Sequence, residues 1–343
     1  MLEKSDTLRP PAFSGLYTGA QSQRYVPLPA ESRSYLTPLS RIAEGDWQQM
    51  TVNGRLLPFF RTLPDSDAPL FVKAVPLLQL DSQMDAGKIA AWAAGKGVGA
   101  VAVSSVIKAG GYAFIAYPLF DGEYYRQGDR SQLSMLARGL ASLHCALEDY
   151  PEKETIAVAN VQMLEKCLKT RHKLASGEWL APYHAGQVRD LMQSWSELPH
   201  LSGVSIPLHG DTNPGNVLFT RDRTIFIDFE DAYFSFFPPE FELAYALERF
   251  LLIFGLGGPE NIDAFMGEYH RRGGKIASID RRDIINSLRL RRIIAFTRLM
   301  AFSMQKIDTA ESEWRKMIAL WDWLGRSHDE AWWSSPMRLP YAD

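Results

Sequence analysis

The chain has 343 residues, 46% hydrophobic and 22% charged, with a formal net charge of −3. These are the proportions of a folded globular protein long enough for two lobes with cores of their own. The balance excludes disorder as the default state and offers no global attraction to nucleic acid or an anionic membrane, so neither is expected as a partner. Cys145 and Cys167 fall in helical patterns with no zinc-like spacing, and the N-terminus lacks the apolar stretch of an export signal. A cytoplasmic location without membrane insertion is expected.

Residues 1 to about 37 are rich in Pro, Ser, Tyr and Gln with little periodicity, which reads as an irregular N-terminal extension. Residues 38–117 then carry a β meander with one helix. Gln48–Val52, Leu56–Arg61 and Leu70–Val75 are short β runs, joined by the Asn53-Gly54 hairpin signal and a second turn at Pro64–Pro69. A helix follows over Asp85–Gly95, with Ile89 and Trp92 four and seven positions after Asp85. Val98–Ile107 and Tyr112–Tyr117 return to strand character.

Residues 118–343 read as almost wholly helical, over Ser131–Leu147, Val158–Leu174, Ala185–Glu197, Phe241–Phe254, Ile262–Arg272, Arg282–Met304 and Glu311–Trp333. The β signals there are Val217–Phe219 and Thr224–Phe229. The predicted class is α+β: a small antiparallel β lobe, a strand-like hinge at Tyr117–Gly122, and a larger, mainly α lobe, with a ligand cleft at the junction.

The two late β signals flank the stretch richest in chemistry. Leu208-His-Gly-Asp-Thr-Asn-Pro-Gly-Asn-Val-Leu-Phe219 holds Asp211 and, five residues on, Asn216, while the apolar run from Thr224 closes with Asp228. Phosphoryl transfer requires in-line positioning, metal ions bridging the phosphates, and a group that orients or deprotonates the attacking hydroxyl. Asp211, on an irregular loop, suits the last task. Asn216 and Asp228 offer the oxygen ligands that magnesium takes beside phosphate and water.

At these residues the chain resembles the aminoglycoside phosphotransferase and choline kinase-like branch of the protein-kinase-like fold. The match is His209-Gly210-Asp211-x-x-x-x-Asn216-Val217-Leu218 followed by Ile227-Asp228-Phe229-Glu230. The resemblance implies a two-lobed kinase that uses ATP, with GTP an open alternative, and Mg2+ to phosphorylate the hydroxyl of a small molecule. It assigns Asp211 as catalytic base or positioning group, Asn216 and Asp228 as magnesium ligands, and His209 as a structural loop residue.

Weaker matches extend along the chain. Strand alternation puts Lys73 on the face of Phe71 and Val75, either as an edge lysine reaching for water or, by the resemblance, as the lysine that contacts the nucleotide's phosphates. Its helix carboxylate partner would be Asp85, where the family usually has glutamate. Leu136–His144 is similar to the family's helix ending in Leu-His, with His144 packing beneath the catalytic loop. Backbone near Pro118 and Phe120 would meet adenine, and since Pro118 has no N–H the donor must be a neighbour. Glu242-Leu-Ala stands where the family commonly has Asp-Leu-Ala, a buried carboxylate bracing the catalytic loop. No G-x-G-x-x-G precedes Lys73, which leaves Glu44-Gly45-Asp46 or the Asn53-Gly54 turn to meet phosphates.

The acceptor side is marked by charge alone. Nine Lys/Arg against two acids between Arg271 and Arg298 make a local +7, either a solvated helical face or a contact for a negatively charged acceptor, with Arg291 and Arg292 as its candidates. Glu230 and Asp231 either line the acceptor side, support the metal from behind its ligands, or are solvated carboxylates after a strand. Two other functions fit parts of the pattern. A protein serine/threonine kinase would need an activation segment with an Ala-Pro-Glu-like end, which does not follow Asp228. A catalytically silent nucleotide-binding module has no chemical need for Lys73, Asp211, Asn216 and Asp228 together.

Overall fold

Alternation along β4 (Leu70–Pro76) organises the first half: Val72 and Ala74 enter the core on one side of the sheet, Val75 on the other. A computed structural model describes residues 23–52, 55–63, 68–175, 199, 201, 203–304, 311–335 and 337. Residues 1–22, the Asn53-Gly54 hairpin, most of the Pro64–Pro69 turn and the expected helix Ala185–Glu197 lie outside the described residues. β4 sits inside a six-stranded antiparallel sheet of order β1-β2-β3-β4-β6-β5, built from β1 (Gln23–Pro27), β2 (Trp47–Val52), β3 (Arg55–Thr62), β5 (Ser105–Ala109) and β6 (Tyr112–Pro118). Phe60, Val72, Ala74 and Phe114 pack under Leu39 of α1 (Leu36–Ser40). Val75, Ala113 and Ile115 pack under Leu80 and Met84 of α2 (Leu80–Gly95).

Two expectations for this half are corrected. Gln23–Pro27, assigned to an irregular extension, is an edge strand registered from Gln23↔Val52 to Pro27↔Gln48. Five residues closed by a proline suit an edge but read as loop in sequence. Of the expected strand Val98–Ile107, only the part from Ser105 onward is in the sheet. The chain before it crosses to the helical half, where Gly99 O accepts from Phe226 N (2.7 Å) and Val101 N donates to Phe226 O (3.1 Å). A Cβ on Gly99 would lie 2.1 Å from Thr224 O, so glycine is what allows the two backbones to meet.

The second half holds α3 (Arg130–Glu148), capped by Asp129, and α4 (Lys153–Ala175). Between them and the later helices come a hairpin, β8 (Val217–Phe219) with β9 (Thr224–Phe226), and a two-residue pair, β7 (Ile206–Pro207) with β10 (Phe236–Phe237). There follow α5 (Pro239–Leu247), continued by a π-helical turn over Glu248–Leu252, then α6 (Pro259–Arg271), α7 (Arg281–Met304) and α8 (Glu311–Gly325). One core joins them, with Leu140, Phe226, Leu247, Phe250, Phe296 and Met300 nearly inaccessible. The expected single helices over Phe241–Phe254 and Glu311–Trp333 are shorter, the first passing into the π turn and the second ending at Gly325. Trp332 then packs with its ring tilted against Trp323, centroids 4.3 Å apart, and donates Nε1–H to its carbonyl (2.7 Å), a cap on the core. Among the described residues no helix is long and apolar enough to cross a membrane.

Candidate active site

The loop between β7 and β8 is tied around one carboxylate. Asp211 Oδ2 accepts from Asn213 Nδ2 (3.0 Å) and Asn216 Nδ2 (2.9 Å), and Oδ1 accepts from Tyr245 O–H (2.9 Å) and Arg291 Nη2 (3.2 Å). Burial alone pushes this carboxyl up; the Arg291 guanidinium and the Asn213 and Tyr245 donors outweigh it and hold the pKa below the usual aspartate value. Asp211 is therefore a carboxylate fixed in direction and a weak base. With its Nδ2 on Asp211, the Asn216 amide turns Oδ1 away from Asp211, and its backbone carbonyl accepts from Ile227 N (3.0 Å). The loop and the segment before Asp228 are thereby joined.

Beneath the loop, Glu242 on the first turn of α5 is 1% exposed. It accepts from Gly210 N (2.8 Å), Thr212 Oγ1 (3.0 Å), His144 Nε2 (2.9 Å) and, at 3.4 Å, His209 N. Burial would raise its pKa, but the His144 hydrogen bond, the nearby imidazoles and the Gly210 N–H bring it down to about 2. On the other side of its ring, His144 Nδ1 lies 2.9 Å from the Tyr269 hydroxyl. His209, fully buried, faces Ile227 O through Nε2 (3.0 Å) and accepts from Asp211 N through Nδ1 (3.3 Å), with its ring 4.4 Å from Phe229. All three side chains expected to support the loop lie under it.

Asp228 follows β9 with φ 61°, the one left-handed non-glycine among the described residues. Such a backbone is held only where its surroundings over-determine it. Its Oδ1 lies 3.4 Å from Lys73 Nζ, and the ammonium, 6% exposed, also pairs with Glu230. Lys73 is thus a paired, buried group pointing at the hairpin, not an edge lysine reaching for water. Its expected partner Asp85 is elsewhere: Asp85 pairs with Lys88 of its own helix (2.6 Å). The Asp85, Ile89, Trp92 spacing identifies a helical stripe correctly, but Trp92 on that stripe meets α3 at Ala146 O (2.8 Å) and Tyr150 rather than β4. Glu230 is likewise displaced from the acceptor side to the lysine.

In the segment expected to be the hinge, Leu119 N donates to Pro69 O (2.8 Å) and Pro118 has no N–H, which leaves Phe120 as the next residue with a backbone N–H. The basic run of α7 divides between faces. Arg291 leaves solvent for the loop, donating to Gly210 O (2.6 Å) and lying 3.3 Å over the Tyr245 ring. Arg292 is 1% exposed and pairs with Glu248, and Arg298 pairs with Asp231 (2.8 Å). Residues 291, 292, 295, 298 and 299 line one cavity of roughly 90 Å³ beside Asp211, the one-face spacing of a helix. Arg271, Arg272 and Lys275 instead reach Glu268, Ser142 and Glu148. Sequence reasoning missed Asn213 and Tyr245. Tyr245 stands three residues after Glu242, the helical spacing that sends both side chains to one loop.

A six-stranded antiparallel sheet and a helical half, with an Asp-Asn loop and a following aspartate between them, define the two-lobed fold of protein-kinase-like phosphotransferases. The phosphotransferase enzyme family matches residues 57–281, well over half of the chain, and the chain belongs to it. Among solved structures, the choline kinase of Streptococcus pneumoniae aligns with a TM-score of 0.58 at 12% identity, over 86% of this chain and 97% of that one. An aminoglycoside 3'-phosphotransferase of type VIII gives 0.54 at 19% identity, over 78% and 100%. An aminoglycoside phosphotransferase from Streptomyces rimosus, solved with ADP and streptomycin, gives 0.53 at 16% identity, over 76% and 98%. At such identities the likeness is one of fold. No curated protein sequence matches the chain.

Proposed function

We propose that this phosphotransferase moves the terminal phosphoryl group of ATP, with magnesium, to the hydroxyl of a small molecule. The observation that carries the reading is the Asp211 carboxylate, kept ionised and aimed by donors from its loop, α5 and α7. A carboxylate with a lowered pKa orients a hydroxyl and takes its proton late, once the bond to phosphorus is forming. In this reading Lys73 meets the nucleotide phosphates, exchanging its contacts with Asp228 and Glu230 for them, and Phe120 N–H meets the base. His209, His144 and Glu242 hold the loop.

Among the described residues no group of three or more His, Cys, Asp or Glu could hold a metal by itself. Asn216 Oδ1 and the Asp228 carboxylate, 43% exposed, are hard oxygen donors of the kind magnesium shares with phosphate. The ion would neutralise charge on the phosphates. The test is ADP release over a panel of alcohols, with and without magnesium, beside the thermal shift given by ATP. Magnesium-dependent release that rises with one acceptor supports the reading, and a protein that ATP with magnesium does not stabilise overturns it.

A further inference from the structure

The cavity beside Asp211 reaches from the catalytic loop into the gap between α5, α7 and α8. Five cationic side chains line it, Arg249, Arg291, Arg292, Arg298 and Lys316, against two acids, Asp211 and Asp231. Arg291 is matched by Asp211 and Arg298 by Asp231. The remaining two arginines face a shortage. Arg292 and Arg249, 1% and 5% exposed, share the single fully buried carboxylate of Glu248. Glu248 is in close contact with Arg292, while its second oxygen lies 3.3 Å from Arg249 Nε without hydrogen-bond geometry. No hydrogen bond from the Arg249 guanidinium is present among the described residues, and the Nε of Arg292 is buried without an acceptor.

Two buried guanidiniums on one carboxylate leave a positive charge uncompensated, and a buried charge without a partner is costly enough to need one. The backbone here is irregular in the same place: Glu248 and Arg249 open the π-helical turn that follows α5, a distortion frequent at functional sites. Arg249 Cζ lies 4.9 Å over the Tyr245 ring, the ring that also carries Arg291 and whose hydroxyl donates to Asp211. One tyrosine side chain thus separates the under-compensated arginine from the catalytic carboxylate.

We propose that the acceptor is an anionic alcohol, whose carboxylate or phosphate monoester docks on Arg249 while its hydroxyl is presented to Asp211. This rests on the phosphotransfer reading above and names its substrate class. The guanidinium fork matches either oxyanion in a bidentate manner. The short span across Tyr245 favours compact hydroxy acids or polyol phosphates. Cationic amino alcohols and aminoglycosides would bring positive charge to a site that already has a surplus.

The test compares ADP release for compact hydroxy acids and polyol phosphates with that for neutral and amino analogues of the same carbon skeleton. An anionic acceptor is expected to exceed its neutral analogue by at least about tenfold in kcat/KM, and Arg249→Gln to remove that preference mainly through KM. In parallel, inorganic phosphate added to protein saturated with magnesium ADP is expected to raise the Tm of the parent protein, and Arg249→Lys, which keeps charge but loses the fork, to weaken the shift. Turnover of neutral or cationic alcohols at equal or better efficiency overturns the proposal while leaving the phosphotransfer reading intact. So does an absence of phosphate stabilisation in the ADP-bound protein. Failure of ATP with magnesium to bind at all overturns the phosphotransfer reading instead.

Discussion

Replacing Glu242 by glutamine is the sharpest structural test of how the Asp211 loop is held. The carboxylate is surrounded by donors only: Gly210 N, Thr212 Oγ1, His144 Nε2 and His209 N. Glutamine keeps one acceptor oxygen and turns an NH2 toward two of those donors, so about two charge-assisted hydrogen bonds worth about 1.5–3 kcal/mol each are lost. The expected penalty is about 3–6 kcal/mol near neutral pH, a large share of an ordinary domain's stability. The penalty also has a pH signature. The Glu242 pKa falls from 4.5 in an ordinary glutamate to about 2 in the folded protein, so its stabilisation is fully present above the first value. It is lost as pH falls through the second, about 3 kcal/mol in all. Urea unfolding of parent and Glu242→Gln proteins, near neutral pH and again midway through that window, should show the difference between them shrinking by about 2 kcal/mol. A penalty below about 1 kcal/mol, or one independent of pH, would refute the reasoning.

Three further outcomes follow from the same geometry. In Gly210→Ala the new Cβ would lie 2.3 Å from Ser235 Oγ at a position with φ 86°, so thermal unfolding should show a loss of about 2 kcal/mol or more, with turnover falling too. Tyr245→Phe removes a donor that lowers the Asp211 pKa, so the acidic limb of the pH–rate profile should move to higher pH; a limb that stays in place or moves down counts against it. Trp332→Phe loses the Nε1–H bond to Trp323 O and should cost about 1 kcal/mol by thermal unfolding, with nucleotide affinity unchanged.

The hairpin of the candidate site was legible because its information is local: Asp211, Asn216 and Asp228 are placed by short spacings and two β signals. His209, His144 and Glu242 followed from order along the chain, and the structure brings them together. Pairings across the fold were not legible. Helical spacing places Asp85 on a stripe but does not say which neighbour the stripe faces, and Lys73 finds Asp228 and Glu230 after a separation of some 155 residues. Nor does a basic run show which of its members turn inward. Arg291 and Arg292 are adjacent in sequence, yet one serves Asp211 and the other a carboxylate of the π turn. That turn carries no sequence signature, since it differs from an α-helix only in hydrogen-bond register.

The central claim is tested most directly by magnesium-dependent ADP release from ATP in parent and Asp211→Asn proteins, read beside the thermal shift that ATP with magnesium gives each. The account predicts that turnover with the best acceptor falls by about a thousandfold while the nucleotide shift persists, since Asp211 acts on the hydroxyl and not on the nucleotide. Turnover in Asp211→Asn within about tenfold of the parent protein would contradict it.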